Sequence, residues 1–513
     1  MRGAIAAGHP LTAEVGAAVL AEGGNAVDAC IAAAFASWVV ESPLTGPGGG
    51  GFMLVHRARD RTTRLLDFFV SVPGLGRPRT PVEMEAVDVD FDSETAQVFH
   101  VGAASCAVPG NAAGLEAAHR SYATLPWATL VEPAVGLARG GFELTRQQSY
   151  LHGILDVILR HTPEGRRVYR VRSAGSILRL PDLGDTLERI GREGARVLYT
   201  GELGRAIAAH LRETGGLISS ADLRAYRVVR RRPLSVRFRG HEVLSNPPPS
   251  SGGVLIAYGL GLLDRLPAQR PGSAAALGQL AEVMREQSRA RERGFGRGLY
   301  RGGLARKLLA DGNLRVALAR VRAVSSTTHI SVVDAGGNAA SLSASAGSGS
   351  GVIVPGTGIH LNNMLGEVDL RGPARPGARL TSMMAPSIVL RRGRPRLVVG
   401  SAGSARLRGA ILQVIVNVVD HGLGVEEAID APRVHLDDGQ LHCEGGTDQK
   451  ELDRLAAQGY ELVRWRRRNL YFGGVSAVEV GAGGSLAAAG DPRRGGHGIV
   501  VDERRGDGIH PVH

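Results

Sequence analysis

Apolar residues recur with helical spacing from Thr12 to Val40, interrupted only at Gly23-Gly24-Asn25, so two consecutive Ala-rich helices are expected there. Their small side chains suit close packing. Pro47-Gly48-Gly49-Gly50-Gly51 then feeds the apolar run Phe52-Met53-Leu54-Val55, a strand whose hairpin partner is Arg64 to Phe69. From about Gly110 to Arg224 helical periodicity dominates, with helices expected over 112–122, 127–139 and 203–214. Strand alternation returns from Arg232 to Leu244. The loop Asn246-Pro247-Pro248-Pro249-Ser250-Ser251-Gly252-Gly253 follows: its prolines stiffen one side, and its glycines let backbone approach closely on the other, ahead of a further helix.

The second half of the chain is more regular. Thr328 to Val333, the turn Asp334-Ala335-Gly336-Gly337-Asn338 and Ala339 to Ser345 predict an antiparallel hairpin. Another is expected from Ser387 to Leu390 and Arg396 to Val399, ending at Gly400-Ser401-Ala402-Gly403-Ser404. An apolar helix, Leu407 to Val419, comes next and closes at His421-Gly422. A strand, a turn of small residues and a helix start together expose backbone N–H groups suited to a developing oxyanion. Helices bracket two strand-rich blocks, and no internal repeat is visible. A layered α/β sandwich is the fold expected.

Composition narrows the reading. A chain of 513 residues would divide into about three domains at roughly 150 residues each, but the segmentation favours one large unit. Hydrophobic content of 43% supports a sizeable core. The net charge of +12 is carried almost wholly by arginine, with lysine only at Lys307 and Lys450. The runs Arg230-Arg231-Arg232 and Arg466-Arg467-Arg468 lack interleaved aromatics, so the charge reads as a solvated surface rather than a nucleic-acid site. Cys30, Cys106 and Cys443 are far apart and lack metal-ligand spacing, so neither a disulfide framework nor a metal site is expected. The run Ala29 to Val40 falls short of the roughly 20 residues that span a bilayer. With no leader pattern at Met1-Arg2-Gly3, the expectation is a cytoplasmic protein that does not engage a membrane, with export as the alternative if this start has lost an upstream leader.

The candidate chemistry lies at Ser325-Ser326-Thr327-Thr328-His329, hydroxyls set immediately before a β-branched strand. No Ser/His/Asp set surrounds them at recognisable local spacing. Cleavage of the Ser326–Thr327 bond would give Thr327 a free α-amine with an unperturbed pKa of roughly 7.7–8.0, and so a base of its own. The plainer reading is a strand-start threonine that only packs and hydrogen-bonds. His329 shares the strand face of Thr327 and is read as structural, since the amine already supplies a base.

With these residues in view, the chain resembles the γ-glutamyltransferases, self-processing members of the N-terminal nucleophile hydrolases. The resemblance rests on Glu22 to Ala29, Gly48 to Phe52, Val108-Pro109-Gly110, Pro247 to Gly253, Thr327-Thr328-His329, Pro355 to Ile359 with Asn362-Asn363, Ser382-Met383 and Gly400 to Arg406. It implies a four-layer αββα sandwich. It also implies a precursor cut before Thr327 into a large subunit, 1–326, and a small one, 327–513, which stay associated. Thr327 would attack a γ-glutamyl amide, as in glutathione, and pass the acyl group to water or to an amino-acid or peptide acceptor, with no cofactor and no metal. The family's second hydroxyl falls on Ser345, and its oxyanion-hole pair on Gly403 and Ser404.

The implied substrate pocket departs from the family pattern. The arginine that pairs with a glutamyl α-carboxylate is replaced by Phe69, while Thr381 and Ser382 match the serine pair at the same carboxylate. On the amine side the family's asparagine falls on Gly347, its glutamine or glutamate on Met364, and its aspartate on Glu367. Asn363 is expected to line the site. The covering segment is shortened to Gly366 through Leu380, so hydrolysis is expected to outrun transfer. Two alternatives stand beside the γ-glutamyl reading: an acylase of the same machinery acting on a non-glutamyl acyl group, as in cephalosporin-like amides, and an unprocessed binding protein.

Overall fold

The computed structural model describes residues 2–75, 83–92, 95–292, 295–310, 328–367, 375–403, 406–437 and 439–502. Thirteen strands build two sheets. In chain order they are β1 (Gly3–Ala7), β2 (Gly50–Arg57), β3 (Thr62–Phe68), β4 (Val229–Arg231), β5 (Leu234–Phe238), β6 (His241–Ser245), β7 (Thr328–Asp334), β8 (Ala339–Ser345), β9 (Ser387–Arg391), β10 (Arg394–Ala402), β11 (Gly474–Val480), β12 (Leu486–Gly490) and β13 (His497–Val501). The first sheet runs β13-β1-β7-β8-β2-β3-β4 and the second β12-β11-β10-β9-β6-β5, with every pairing antiparallel.

Helices α1 (Pro10–Ala21) and α2 (Ala26–Val40) cover the first sheet, and all fifteen residues of α2 are buried. Alanine makes that possible, because small side chains let the helix approach backbone on all sides. A capping box starts α2. The Asn25 side chain accepts from the N–H groups of Val27 and Asp28 at 2.8 and 3.0 Å, and the Asp28 carboxylate accepts from the Asn25 N–H at 2.9 Å. On the far face of the second sheet lie α3 (Ser251–Leu263) and α4 (Arg406–Val419), packed through Leu255, Leu260, Ile411 and Val414. Between the sheets a third core joins Ala4, Phe52, Leu54 and Val333 to Ile388, Val398 and Val478. The order is helix, sheet, sheet, helix.

The two helices expected over Thr12 to Val40 and the hairpins β2–β3, β7–β8 and β9–β10 form as read. The alternation from Arg232 to Leu244 is a hairpin rather than one strand: β5 and β6 turn at Arg239-Gly240, both with positive φ, the geometry that suits a two-residue loop to strand twist. β1 was not foreseen. Four of its five residues are Gly or Ala, which have weak strand propensity, and they form a strand because β7 and β13 pair with both of its edges.

Candidate active site

One end of the sandwich gathers the end of α2, the starts of β2, β7 and β11, and the ends of β8 and β10. Ser326, Thr327 and Ser404 lie outside the described residues. Thr328, the first described residue after Thr327, donates through its Oγ1 to Glu41 Oε2 at 2.6 Å. Thr12 Oγ1 donates to the other carboxylate oxygen at 3.0 Å. Burial raises the Glu41 pKa, against the opposing pull of both hydroxyls and of the Arg494 charge. Glu41 also caps the C-terminal end of α2, where the helix dipole disfavours an anion. That misfit was the signal available in the sequence.

Period-two alternation turns His329, Ser331, Ser341 and Ser343 into the space between the sheets. His329 Nδ1 and Ser343 Oγ are 2.8 Å apart, and Nε2 and Ser331 Oγ 2.9 Å. An ideal Cβ on Gly400 would lie 2.3 Å from the imidazole, so glycine is required opposite it. Burial pushes the His329 pKa down to about 3, which keeps the ring neutral. It is a structural histidine. Ser345, two residues beyond Ser343, is buried and its Oγ accepts from the Gly347 N–H at 2.8 Å.

Gly403 follows β10 at φ +120°, and a Cβ there would stand 2.6 Å from Gly473 Cα. Only glycine fits. Cβ atoms on Gly48, Gly49, Gly50 and Gly51 would meet backbone of His360, Ser345, Val70 and Ser343 at 2.3–2.7 Å. The glycine run therefore lets three segments converge beside the site, and it is not a phosphate loop. Asn362 ties this junction together. Its Nδ2 donates to the carbonyls of Gly48 and Ala107 at 2.7 and 2.8 Å, and its Oδ1 accepts from the N–H groups of Ala107 and Met364 at 3.0 and 3.1 Å.

The expected pocket residues form two groups. Asn363 and Glu367 converge on Gly347, where a Cβ would lie 2.1 Å from Asn363 Oδ1 and 3.1 Å from Glu367 Oε1. Asn363 also bonds Ser348, accepting from its N–H at 3.1 Å and donating to its Oγ at 2.7 Å. The second group is apolar. Phe69 is 1% exposed and stacks on Phe52 with ring centroids 5.5 Å apart, among Met364, Leu380 and Met384. Arg379, which donates to the Phe69 carbonyl, is bound to Asp67 at 3.2 Å and lies 4.8 Å over the Tyr226 ring. That guanidinium is committed to scaffolding. Thr381 and Ser382 are buried beside this wall. The Ser382 carbonyl accepts from Ser250 Oγ, Ser251 N and Oγ, and Gly252 N at 2.8–3.1 Å, a cradle that sequence reasoning did not assign. Among the described residues no three metal-ligating side chains converge, and no helix is long and apolar enough to cross a membrane.

Two facing sheets between helical layers, with hydroxyls and close-packed glycines at one end, define the αββα class of N-terminal nucleophile hydrolases. The family pattern described as gamma-glutamyltranspeptidase matches residues 12–501. The chain belongs to that enzyme family. An acylase ACY 1 proenzyme of Pseudomonas sp. (strain SE83) is 32% identical over 539 residues, covering 98% of this chain and 94% of the relative. A glutathione hydrolase proenzyme of Pseudomonas aeruginosa is 32% identical over 540 residues, covering 97% and 94%. The solved cephalosporin acylase from Bacillus halodurans has the same fold, with a TM-score of 0.83 at 23% identity over 97% of this chain and 95% of that one.

Proposed function

We propose that the chain cuts itself between Ser326 and Thr327 and then cleaves γ-glutamyl amides through an acyl-enzyme on Thr327. In this reading the freed α-amine takes the proton from the Thr327 hydroxyl as its oxygen adds to the amide carbonyl. The oxyanion is met by backbone N–H groups at Gly403 and Ser404, and Ser345 steadies the nucleophile. Collapse expels the amine, which leaves with the proton, and water or an amine acceptor then takes the acyl group. Glu367 and Asn363 would meet the glutamyl amine, with Thr381 and Ser382 at its carboxylate. Phe69 and Met364 would bound the acyl chain.

The observation that carries the proposal is convergence: the strand that begins at Thr328, the end of β8 at Ser345 and the glycine after β10 all lie at one end of the sandwich. The strand order also suits a cut chain. β1 lies between β7 and β13, and β6 beside β9, so pieces 1–326 and 327–513 would share both sheets and stay associated. A second reading is favoured by the Phe69–Phe52 stack, which puts an aromatic ring where a glutamyl-specific site needs a cation: the acyl group is dicarboxylic or apolar rather than glutamyl. Hydrolysis rates for γ-glutamyl, glutaryl and pentanoyl anilides decide. Preference for the γ-glutamyl compound supports the first reading, preference for either of the others the second, and turnover of none contradicts both. With a dipeptide acceptor present, hydrolysis products are expected to exceed transfer products.

A further inference from the structure

Arg494 ends a short helical turn at Pro492–Arg494 and is half-buried, its stem lying across Gly474 with Cδ 2.4 Å from an ideal Cβ there. Its Nη2 lies 3.2 Å from the Cβ position of Gly403. The guanidinium is poorly served. Among the described residues its one hydrogen bond runs from Nη2 to the Leu470 carbonyl at 3.4 Å, and its Nε is shut away from solvent with no partner.

The carboxylates whose fields reach it are both engaged elsewhere. Glu41 accepts from Thr12 and Thr328, and Asp491 is bound by Arg433 at 2.6 Å and by Arg493 at 3.2 Å. Neither forms an ion pair with Arg494. Arg406, the other charged side chain whose field reaches it, is a cation and adds repulsion. A guanidinium whose Nε is shut from water without a partner, and whose one hydrogen bond is long, is costly unless an anion arrives.

We propose that Arg494 recognises a carboxylate of the substrate, bound beside Gly403. This rests on the acyl-transfer reading of the site. It assigns to Arg494 the charge recognition that Phe69 cannot provide. The carboxylate could stand at the end of the acyl chain or on the departing amine. The shared chemistry is an anion that accepts two N–H bonds from one planar cation, and a substrate series separates the two sources.

Three anilides make the test: pentanoyl-4-nitroanilide, glutaryl-4-nitroanilide, and pentanoyl-3-carboxy-4-nitroanilide. Arg494→Met keeps a stem over Gly474 and removes the charge. It is expected to lower kcat/KM about 10- to 100-fold, mainly through KM, on the anilide whose carboxylate Arg494 meets, while pentanoyl-4-nitroanilide changes little. Loss on the glutaryl compound alone places the carboxylate on the acyl side; loss on the carboxyanilide alone places it on the leaving side. A uniform loss on all three makes Arg494 a packing residue and overturns the proposal, as does no loss. Should the Met variant fail to fold, Arg494→Lys carries the test, with a smaller selective loss expected.

If the wild-type enzyme turns over none of the three, the anion site is judged by thermal melts, and the acyl-transfer reading itself fails only where γ-glutamyl-4-nitroanilide is not turned over either. Glutarate raising the Tm of the wild type but not of Arg494→Met, with pentanamide raising neither, supports the site. The same response in both proteins overturns it.

Discussion

Arg493 and Arg494 are neighbours in sequence and opposites in surroundings. Arg493 has its Nε 2.7 Å and its Nη2 2.5 Å from the two Glu444 oxygens, its Nη1 3.2 Å from Asp491, and further bonds to the carbonyls of Ile429 and Ala431. Arg433 completes the network through Asp491. Every carboxylate there meets a guanidinium, and the cluster staples the segment after β12 to the strands around it. Arg494 faces the glycine-lined end with one long hydrogen bond. The difference teaches where to look for function: a buried ionic cluster whose cations are each paired with a carboxylate is scaffold, while a half-buried cation with no carboxylate partner beside close-packed glycines is the place to look for a ligand.

The sharpest break between scaffold and site is Thr327→Ala. It is expected to abolish both self-cleavage and turnover while the fold persists, checked by gel mobility, far-UV circular dichroism and anilide hydrolysis; normal processing would contradict the assigned nucleophile. Gly403→Ala comes next. The positive φ and the Gly473 contact force the turn to move, so kcat should fall about 100-fold with KM little changed. On the scaffold side, Arg493→Met leaves Glu444 buried without its partner and should destabilise by about 3–5 kcal/mol in denaturant titrations, where Arg494→Met costs less than about 1 kcal/mol. Equal costs would erase the distinction.

The smallest effect is a pH dependence at Glu41. Burial raises its carboxyl pKa, so the fold favours the protonated form; the contribution is full below about 4.5 and is lost as pH climbs through the raised value. Glu41→Gln cannot ionise. Its stability relative to the wild type should therefore grow between pH 4 and pH 8 in urea titrations, and a difference that stays flat with pH would show that Glu41 does not titrate there.

Local pattern made much of this legible. The Ala-rich helices and the hairpin after Thr328 follow from periodicity, and the turn at Asp334 is fixed by a carboxylate that accepts from the Asn338 and Ala26 N–H groups at 2.9 and 3.0 Å. What was missed depends on residues distant in the chain. Thr328 and Glu41 are 287 positions apart, and Ser251 and Ser382 131 apart, so no window of sequence shows them as partners. Arg494 reads as one more arginine in a basic chain until its neighbours are placed. Phe69 was found as a departure from the family pattern, but its stack with Phe52 required the sheet.

The central claim is that the chain becomes an enzyme by cutting itself before Thr327. Intact-mass spectrometry of the purified protein tests it directly. The account predicts two polypeptides that co-purify, the smaller beginning at Thr327, with masses that sum to the 53.8 kDa chain plus one water. A single uncut chain that hydrolyses the anilides at full rate would contradict it.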